Sequence, residues 1–210
     1  AALQEGLASM SSFRSMSRYI AFFGRAMYNY DEKYLASVSL RRDGSSKFGS
    51  ENKWGWFPAV SLGWRLNKES WFEDAANLSD LKLRAGFGVT GNQDFSSYKS
   101  LLLMDPFSFY YYDGKWVTSY APASNPNPNL AWERKNEFNV GVDFAFFGNR
   151  FGGTLDYYYR LTTNLLYNYT VPVPPYDYGT IFTNVGSICN QGLELTLFGT
   201  PVQKKNVEWN

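Results

Sequence analysis

The residues LRAGFGVTGN, Leu83 to Asn92, hold Gly86, Gly88 and Gly91 in the spacing G-x-G-x-x-G. In a dinucleotide-binding turn such glycines let the backbone approach a pyrophosphate seated on a helix N-terminus. A strand must then end at the first glycine and a helix begin at the last. Neither condition is met. Leu81, Leu83, Ala85, Phe87 and Val89 alternate with Lys82, Arg84, Gly86, Gly88 and Thr90 straight through the motif, and NQDFSSYKS beyond it has no apolar residues at helical spacing. Four carboxylates, Glu137, Asp143, Asp156 and Glu194, could be offered as the acid pair of a glycoside hydrolase, which needs two carboxyls at a set separation across one bond. Each falls instead on the polar side of an alternating strand, where salt bridges in a wet interior account for it better.

Other chemistries are bounded by what the chain contains. There is no histidine, which removes Ser-His-Asp and Cys-His catalysis and the commonest zinc and iron ligand sets. Cys189 is the single cysteine, so no intrachain disulfide can form, and it reads as a small strand residue. The oxygen-rich DGSSKFGSEN lacks the D-x-D-x-D-G spacing of a calcium loop. No catalytic constellation, metal site or cofactor site is read from the residues. The best ligand-binding candidates are aromatic: Tyr110, Tyr112, Trp116 and Tyr120 in FSFYYYDGKWVTSY, on whose rings a sugar face could stack. The same rings could form a loop core or face a partner protein.

The elements that carry these residues are strands. With 20 Lys+Arg against 19 Asp+Glu, no basic surface points to nucleic acid. The 17 Phe, 16 Tyr and 7 Trp are too many for a core alone and suit a boundary between apolar and wet surroundings. No apolar run approaches the ~18 residues of a membrane helix, and the N-terminus shows no signal-peptide pattern. Period-two segments of about nine to thirteen residues follow one another instead. They cover Tyr19 to Tyr30, Tyr34 to Arg42, Trp56 to Leu66, the glycine-rich strand, Arg134 to Phe147, Phe151 to Thr162 and NQGLELTLFG, with VEWN starting another. One face collects Phe138, Val140, Val142, Phe144, Phe146, Leu193, Leu195 and Leu197; the other collects Arg84, Glu137, Asn139, Asp143, Asp156, Arg160 and Glu194.

Short turns such as DEK and FGNR alternate with long connections, among them Asn92 to Leu130 and NLLYNYTVPVPPYDYGTIFTNVGS. Inside the first, Asp113-Gly114 suits a type I′ hairpin turn. This is the pattern of an antiparallel up-and-down transmembrane β-barrel, whose strands face lipid and lumen alternately. The first face is then lipid-facing and the second lumen-facing, with Trp56, Trp64, Tyr157 and Tyr159 in the interfacial girdles. The alternative is a soluble, secreted β-sandwich that binds carbohydrate through the same aromatics. Its strands are normally shorter, about five to six residues.

Five stretches in order, KYLASVSLRRDGSSKFG, WGWFPAVSLGWRLNKESWF, LSDLKLRAGFGVTGNQD, NPNLAWERKNEFNVGVDFAFFGNR and NVGSICNQGLEL, resemble the C-terminal barrel of SusC/RagA-type TonB-dependent outer-membrane transporters. Cys189 and Arg42 are small departures from the pattern. The resemblance implies part of a 22-stranded barrel from the outer membrane of a Gram-negative bacterium of the Bacteroidota, closed in the whole protein by an N-terminal plug. It also implies a SusD-like surface lipoprotein as partner, TonB engaged through an N-terminal region, and oligosaccharide or peptide as cargo. The expected organisation is a loop or strand connection over 1–18 and about eight barrel strands over 19–210. Plug, TonB box and signal peptide are not seen, so the chain is read as a fragment that does not fold alone.

Overall fold

The computed structural model describes residue 12 and residues 14–72, 77–204 and 207–209. Most of the 1–18 connection lies outside the described residues. Strands in chain order are β1 Tyr19–Tyr30, β2 Tyr34–Ser45, β3 Trp54–Arg65, β4 Leu78–Asn92, β5 Met104–Tyr112, β6 Lys115–Pro122, β7 Glu133–Phe146, β8 Phe151–Thr163, β9 Leu166–Thr170, β10 Thr180–Asn184, β11 Ser187–Gly199, β12 Val202–Lys204 and β13 Val207–Trp209. Helical structure among the described residues is limited to two single 3-10 turns, Leu66–Lys68 and Ser70–Phe72.

Seven strands form one antiparallel sheet in the order β1-β2-β3-β4-β7-β8-β11. They run 12 to 15 residues, ample for a tilted crossing that needs about nine to eleven. The remaining strands pair as the hairpins β5-β6, β9-β10 and β12-β13. Sequential strands of the main sheet are neighbours throughout, so the topology is up-and-down, with β5-β6 and β9-β10 inserted in loops. The strands form because apolar, β-branched and aromatic residues recur at every second position, which suits a pleated surface solvated differently on its two faces.

Connections alternate between two rims, with the tight turns 31–33 and 147–150 and the connection 66–77 on the same one. On one rim β1 turns into β2 through Asp31 and Glu32, both at φ 51°, with Lys33 N donating to Tyr30 O at 2.9 Å. Phe147, Gly148 and Asn149 turn β7 into β8 with φ of 55°, 67° and 67°, and Ser79 Oγ accepts from Gly148 N at 2.7 Å. The opposite rim carries the loops 46–53, 93–132 and 164–186. The last of these, read from sequence as loop, contains the β9-β10 hairpin, tied to the 93–132 loop by an Asn125–Ile181 bridge.

The two faces of the sheet differ in the way a sandwich would forbid. Phe138, Val140 and Val142 of β7 sit opposite Tyr159, Tyr157 and Leu155 of β8, and on β11 the same face continues as Leu193, Leu195 and Leu197. A sandwich would bury this face under a second sheet. Here Leu193 is 73% exposed, Leu195 62% and Leu62 54%, and no described element covers them. The sandwich alternative is not supported.

What core there is lies at the loop rim. Phe48, Phe57, Leu130 and Trp132 are buried together, with Val89, Phe95, Leu166 and Phe182 packed on them. Trp132 meets Phe48 at 4.4 Å and Phe57 at 5.4 Å between ring centroids. All three long loops or their flanks contribute, so this cluster fastens the loops to one another and to the strand ends.

Candidate functional site

The polar face is a charge lattice built by register. Arg84 of β4 stands opposite Gly141 of β7, which stands opposite Asp156 of β8, which stands opposite Glu194 of β11. Because Gly141 has no side chain, the Arg84 guanidinium crosses β7 and reaches two strands. Its Nε donates to Asp143 at 2.9 Å and its Nη2 to Asp156 Oδ1 at 2.9 Å. A Cβ on Gly141 would lie 2.1 Å from Asp156 Oδ1 and 2.9 Å from Arg84 Nη2. Nearer the loop rim, Glu137 bridges two cations, Arg160 Nη2 at 3.1 Å and Lys135 Nζ at 3.2 Å. Asn139 lies over Gly86, and Arg160 stacks on Tyr158 at 4.7 Å.

The structure therefore brings Arg84, Glu137, Asn139, Asp143, Asp156, Arg160 and Glu194 onto one face, with all but Asn139 and Glu194 in ion pairs. A hollow of about 710 Å³ opens on this side, with Ser37, Ser61, Arg84, Gly86, Glu137 and Asn139 in its lining. Such an arrangement has fixed positive and negative groups at a wet surface. It can guide polar solutes and hold a packed partner.

Of the glycine-rich motif, Gly91 carries a separate demand. Strands β3 and β4 stop pairing after Ala59 and Gly88, and the Phe57 ring fills the space between them. A Cβ on Gly91 would come within 2.3 Å of that ring and 2.9 Å of Trp132.

The hairpin aromatics divide between its two sides. Tyr111 pairs with Trp116 and Tyr112 with Lys115 across the turn, where Asp113 and Gly114 both take positive φ. Tyr110 and Tyr112 share one side; Trp116 and Tyr120 share the other with Tyr111, whose ring meets Trp116 at 5.5 Å. All four candidates are exposed. Two shallow platforms result, where sequence suggested a single cluster. Tyr111, outside the four candidates, joins Trp116, and counting outward from Asp113-Gly114 gives the same pair.

The apolar face ends in aromatics at both rims. At the short-turn rim Tyr28, Tyr30, Tyr34 and Trp64 stack in a row with centroid spacings of 6.3 to 6.5 Å. Glu69, in the turn below, accepts from Tyr34 Oη at 2.8 Å and Trp64 Nε1 at 3.0 Å. Those hydrogen bonds, Trp64 first and then Tyr34, hold its carboxyl below the usual carboxylate range. Glu32 is lowered in the same way by the Lys68 ammonium. At the loop rim Phe22, Trp54 and Trp56 occupy the corresponding place.

Residues 5–210 match the model of the TonB dependent receptor-like β-barrel. The chain belongs to that family. Its similarity is to the SusC/RagA branch. It is 33% identical over 208 residues to the TonB-dependent receptor SusC of Bacteroides thetaiotaomicron, covering 97% of this chain and 21% of that protein. TonB-dependent receptor P39 of Formosa agariphila is 36% identical over 190 residues, covering 90% of this chain and 18% of that protein. Among solved structures, the RagAB peptide importer in the open-open state superposes with a TM-score of 0.83 at 31% identity, over 91% of this chain and 20% of that one. The RagAB peptide transporter gives 0.78 at 32% identity, over 90% and 20%. The chain thus spans about a fifth of the length of these relatives. Its antiparallel, up-and-down sheet is a segment of a TonB-dependent receptor barrel.

Proposed function

We propose that the chain forms part of the wall of an outer-membrane importer that passes oligosaccharides or peptides through a plugged, 22-stranded barrel. The apolar face lies against lipid and the charge lattice faces the lumen and plug. The short turns are periplasmic and the long loops extracellular. Passage is gated by a SusD-like surface lipoprotein and driven through TonB; no bond is made or broken. The single observation that carries this reading is the sheet itself, apolar and uncovered on one face and ion-paired on the other. Such a sheet is stable only when hydrocarbon covers one face and every strand edge is closed. Similarity to a peptide importer, RagAB, supports peptide as a cargo class. The polar loop aromatics suit sugar.

The test is uptake by cells making the full-length protein with its lipoprotein. Labelled oligosaccharide or labelled peptide is expected to accumulate inside, and accumulation should stop when the proton gradient is dissipated. Accumulation unchanged by the uncoupler would overturn TonB-driven import.

A further inference from the structure

Two arginines stand on the apolar face where no carboxylate answers them. Arg42 of β2 lies opposite Trp56 of β3 and Phe22 of β1. Its guanidinium carbon sits 4.7 Å from the Trp54 ring centre and 5.0 Å from that of Trp56. Arg134 of β7 has the parity of Phe138 and Val140, so it shares their face, and its Nη2 donates to the Trp56 main-chain oxygen at 3.1 Å. Both side chains are exposed. Neither makes an ion pair with any described residue, whereas Arg41, one position away on the opposite face, is engaged by Asp43 at 2.7 Å. The two guanidinium groups therefore bracket Trp56, each with most of its five N–H donors free.

Height along the wall identifies what they meet. Arg42 follows Tyr34 by eight residues on β2. At about 3.3 Å per residue and a tilt of about 40°, that is about 20 Å of membrane height, close to the ~25 Å apolar band of an outer-membrane barrel. Tyr34 and Trp64 mark one edge of the band. Arg42, Trp54 and Trp56 mark the other, on the long-loop side. Indole rings settle at headgroup level, and a guanidinium held there by cation–π contact matches a phosphate oxygen pair in shape and charge.

We infer that Arg42 and Arg134, with Trp54 and Trp56, form a binding site for the phosphate of an outer-leaflet glycolipid headgroup. The inference rests on the membrane orientation proposed above. The apolar sheet below the arginines receives the acyl chains, and the rings order the headgroup against the wall.

The test uses the full-length protein in phosphatidylcholine nanodiscs carrying monophosphoryl lipid A or its dephosphorylated form, with bound lipid counted by native mass spectrometry. Wild type is expected to retain the phosphorylated lipid preferentially. The double variant Arg42→Gln/Arg134→Gln should lower that retention roughly tenfold or more, since each charged hydrogen bond contributes on that scale. Arg150→Gln, an exposed arginine at the other rim, should leave it unchanged. Equal retention of the two lipids by wild type overturns the inference without any variant, so a failure of the double variant to assemble does not shelter it. Equal retention by wild type and an assembled double variant overturns it as well. Heat-modifiable gel mobility in the same samples separates this from the underlying reading: a protein that never inserts refutes the orientation, and one that inserts without phosphate preference refutes the lipid site alone.

Discussion

At the scale of single residues, the sheet asks different things of glycines that look alike in sequence. Gly141 is the gap through which Arg84 reaches Asp156. Gly141→Ala would put a Cβ 2.1 Å from the Asp156 carboxylate, so one half of the Arg84 bridge must move. A Cβ on Gly88 would meet only Ala59 Cβ at 3.6 Å, an ordinary contact. In the full-length protein Gly141→Ala is therefore expected to cost about 1–3 kcal/mol, and Gly88→Ala to be neutral or slightly stabilising. The temperature at which heat-modified mobility changes reads both. Face matters as much as space. Val142→Arg, on the uncovered apolar side, should block assembly, since a lipid-facing arginine costs about 2–4 kcal/mol at midplane, while Asn139→Arg on the charged side should assemble. Equal tolerance of both would refute the orientation. Glu69 gives the pH dependence. Its folded pKa is lowered by Trp64 and Tyr34, so its contribution is present above the ordinary carboxylate value and is lost as pH falls through the lowered one. The stability gap between wild type and Glu69→Gln in urea unfolding should be largest at neutral pH and close on acidification. A gap that persists in strong acid would contradict that assignment.

At the scale of elements, the long strands and the Asp113-Gly114 hairpin were legible and the rest of the loops was not, for one physical reason. A strand between lipid and water repeats its contrast every second residue, so β1 appears at Tyr19–Tyr30 as the alternation implies, and β3 differs from the expected Trp56 to Leu66 by starting at Trp54 and ending at Arg65, where Leu66 opens a 3-10 turn. The register that joins Arg84 to Asp143 and Asp156 also follows from shared parity, although which strands are neighbours needed the fold. Loop structure depends on partners distant in sequence. Phe57 sits on the polar face of β3 and looks misplaced until Trp132 and Phe48 close over it. The prolines of APASNPNPNL cannot donate to a ladder, yet asparagines of this stretch and of β10 join the two with side-chain hydrogen bonds. Asn125 Nδ2 donates to Thr180 O at 2.9 Å, Asn127 Nδ2 to Phe182 O at 3.0 Å, and Asn184 Nδ2 to Ala131 O at 2.8 Å. Those amides tie β10 to the neighbouring loop, and β10 carries its partner β9 with it, both strands being too short at five residues to show a period. Trp132→Ala should remove the centre of this seal, at about 3–5 kcal/mol for a buried tryptophan. Limited proteolysis is then expected to cut within 93–132 and 164–186 much faster than in wild type while the strands stay protected. Unchanged loop cleavage would show that the aromatic cluster does not hold the loops.

At the scale of the molecule, two features cannot be satisfied by these 210 residues in water. Among the described residues β1 and β11 each pair on one side only, so each presents a row of main-chain donors and acceptors to any strand that arrives. The apolar face adds a broad surface of exposed Leu, Val and Phe, far beyond the few hundred Å² a soluble monomer tolerates. Ion pairs on the polar face do not offset this, because partly exposed pairs contribute little in water. The loop-rim core is also too small to hold seven strands together. Produced alone, the segment is therefore expected to sediment or form large oligomers in plain buffer. Detergent should cover the apolar face without closing the edges, leaving a product without heat-modifiable mobility. The full-length protein, whose remaining strands would pair both edges, should show that mobility in the same detergent. Light scattering on a size-exclusion column checks the first expectation and gel mobility the second. A monodisperse 24.0 kDa species in buffer would mean that the apolar face finds cover within the chain, and the assignment of that face to lipid would fall with it.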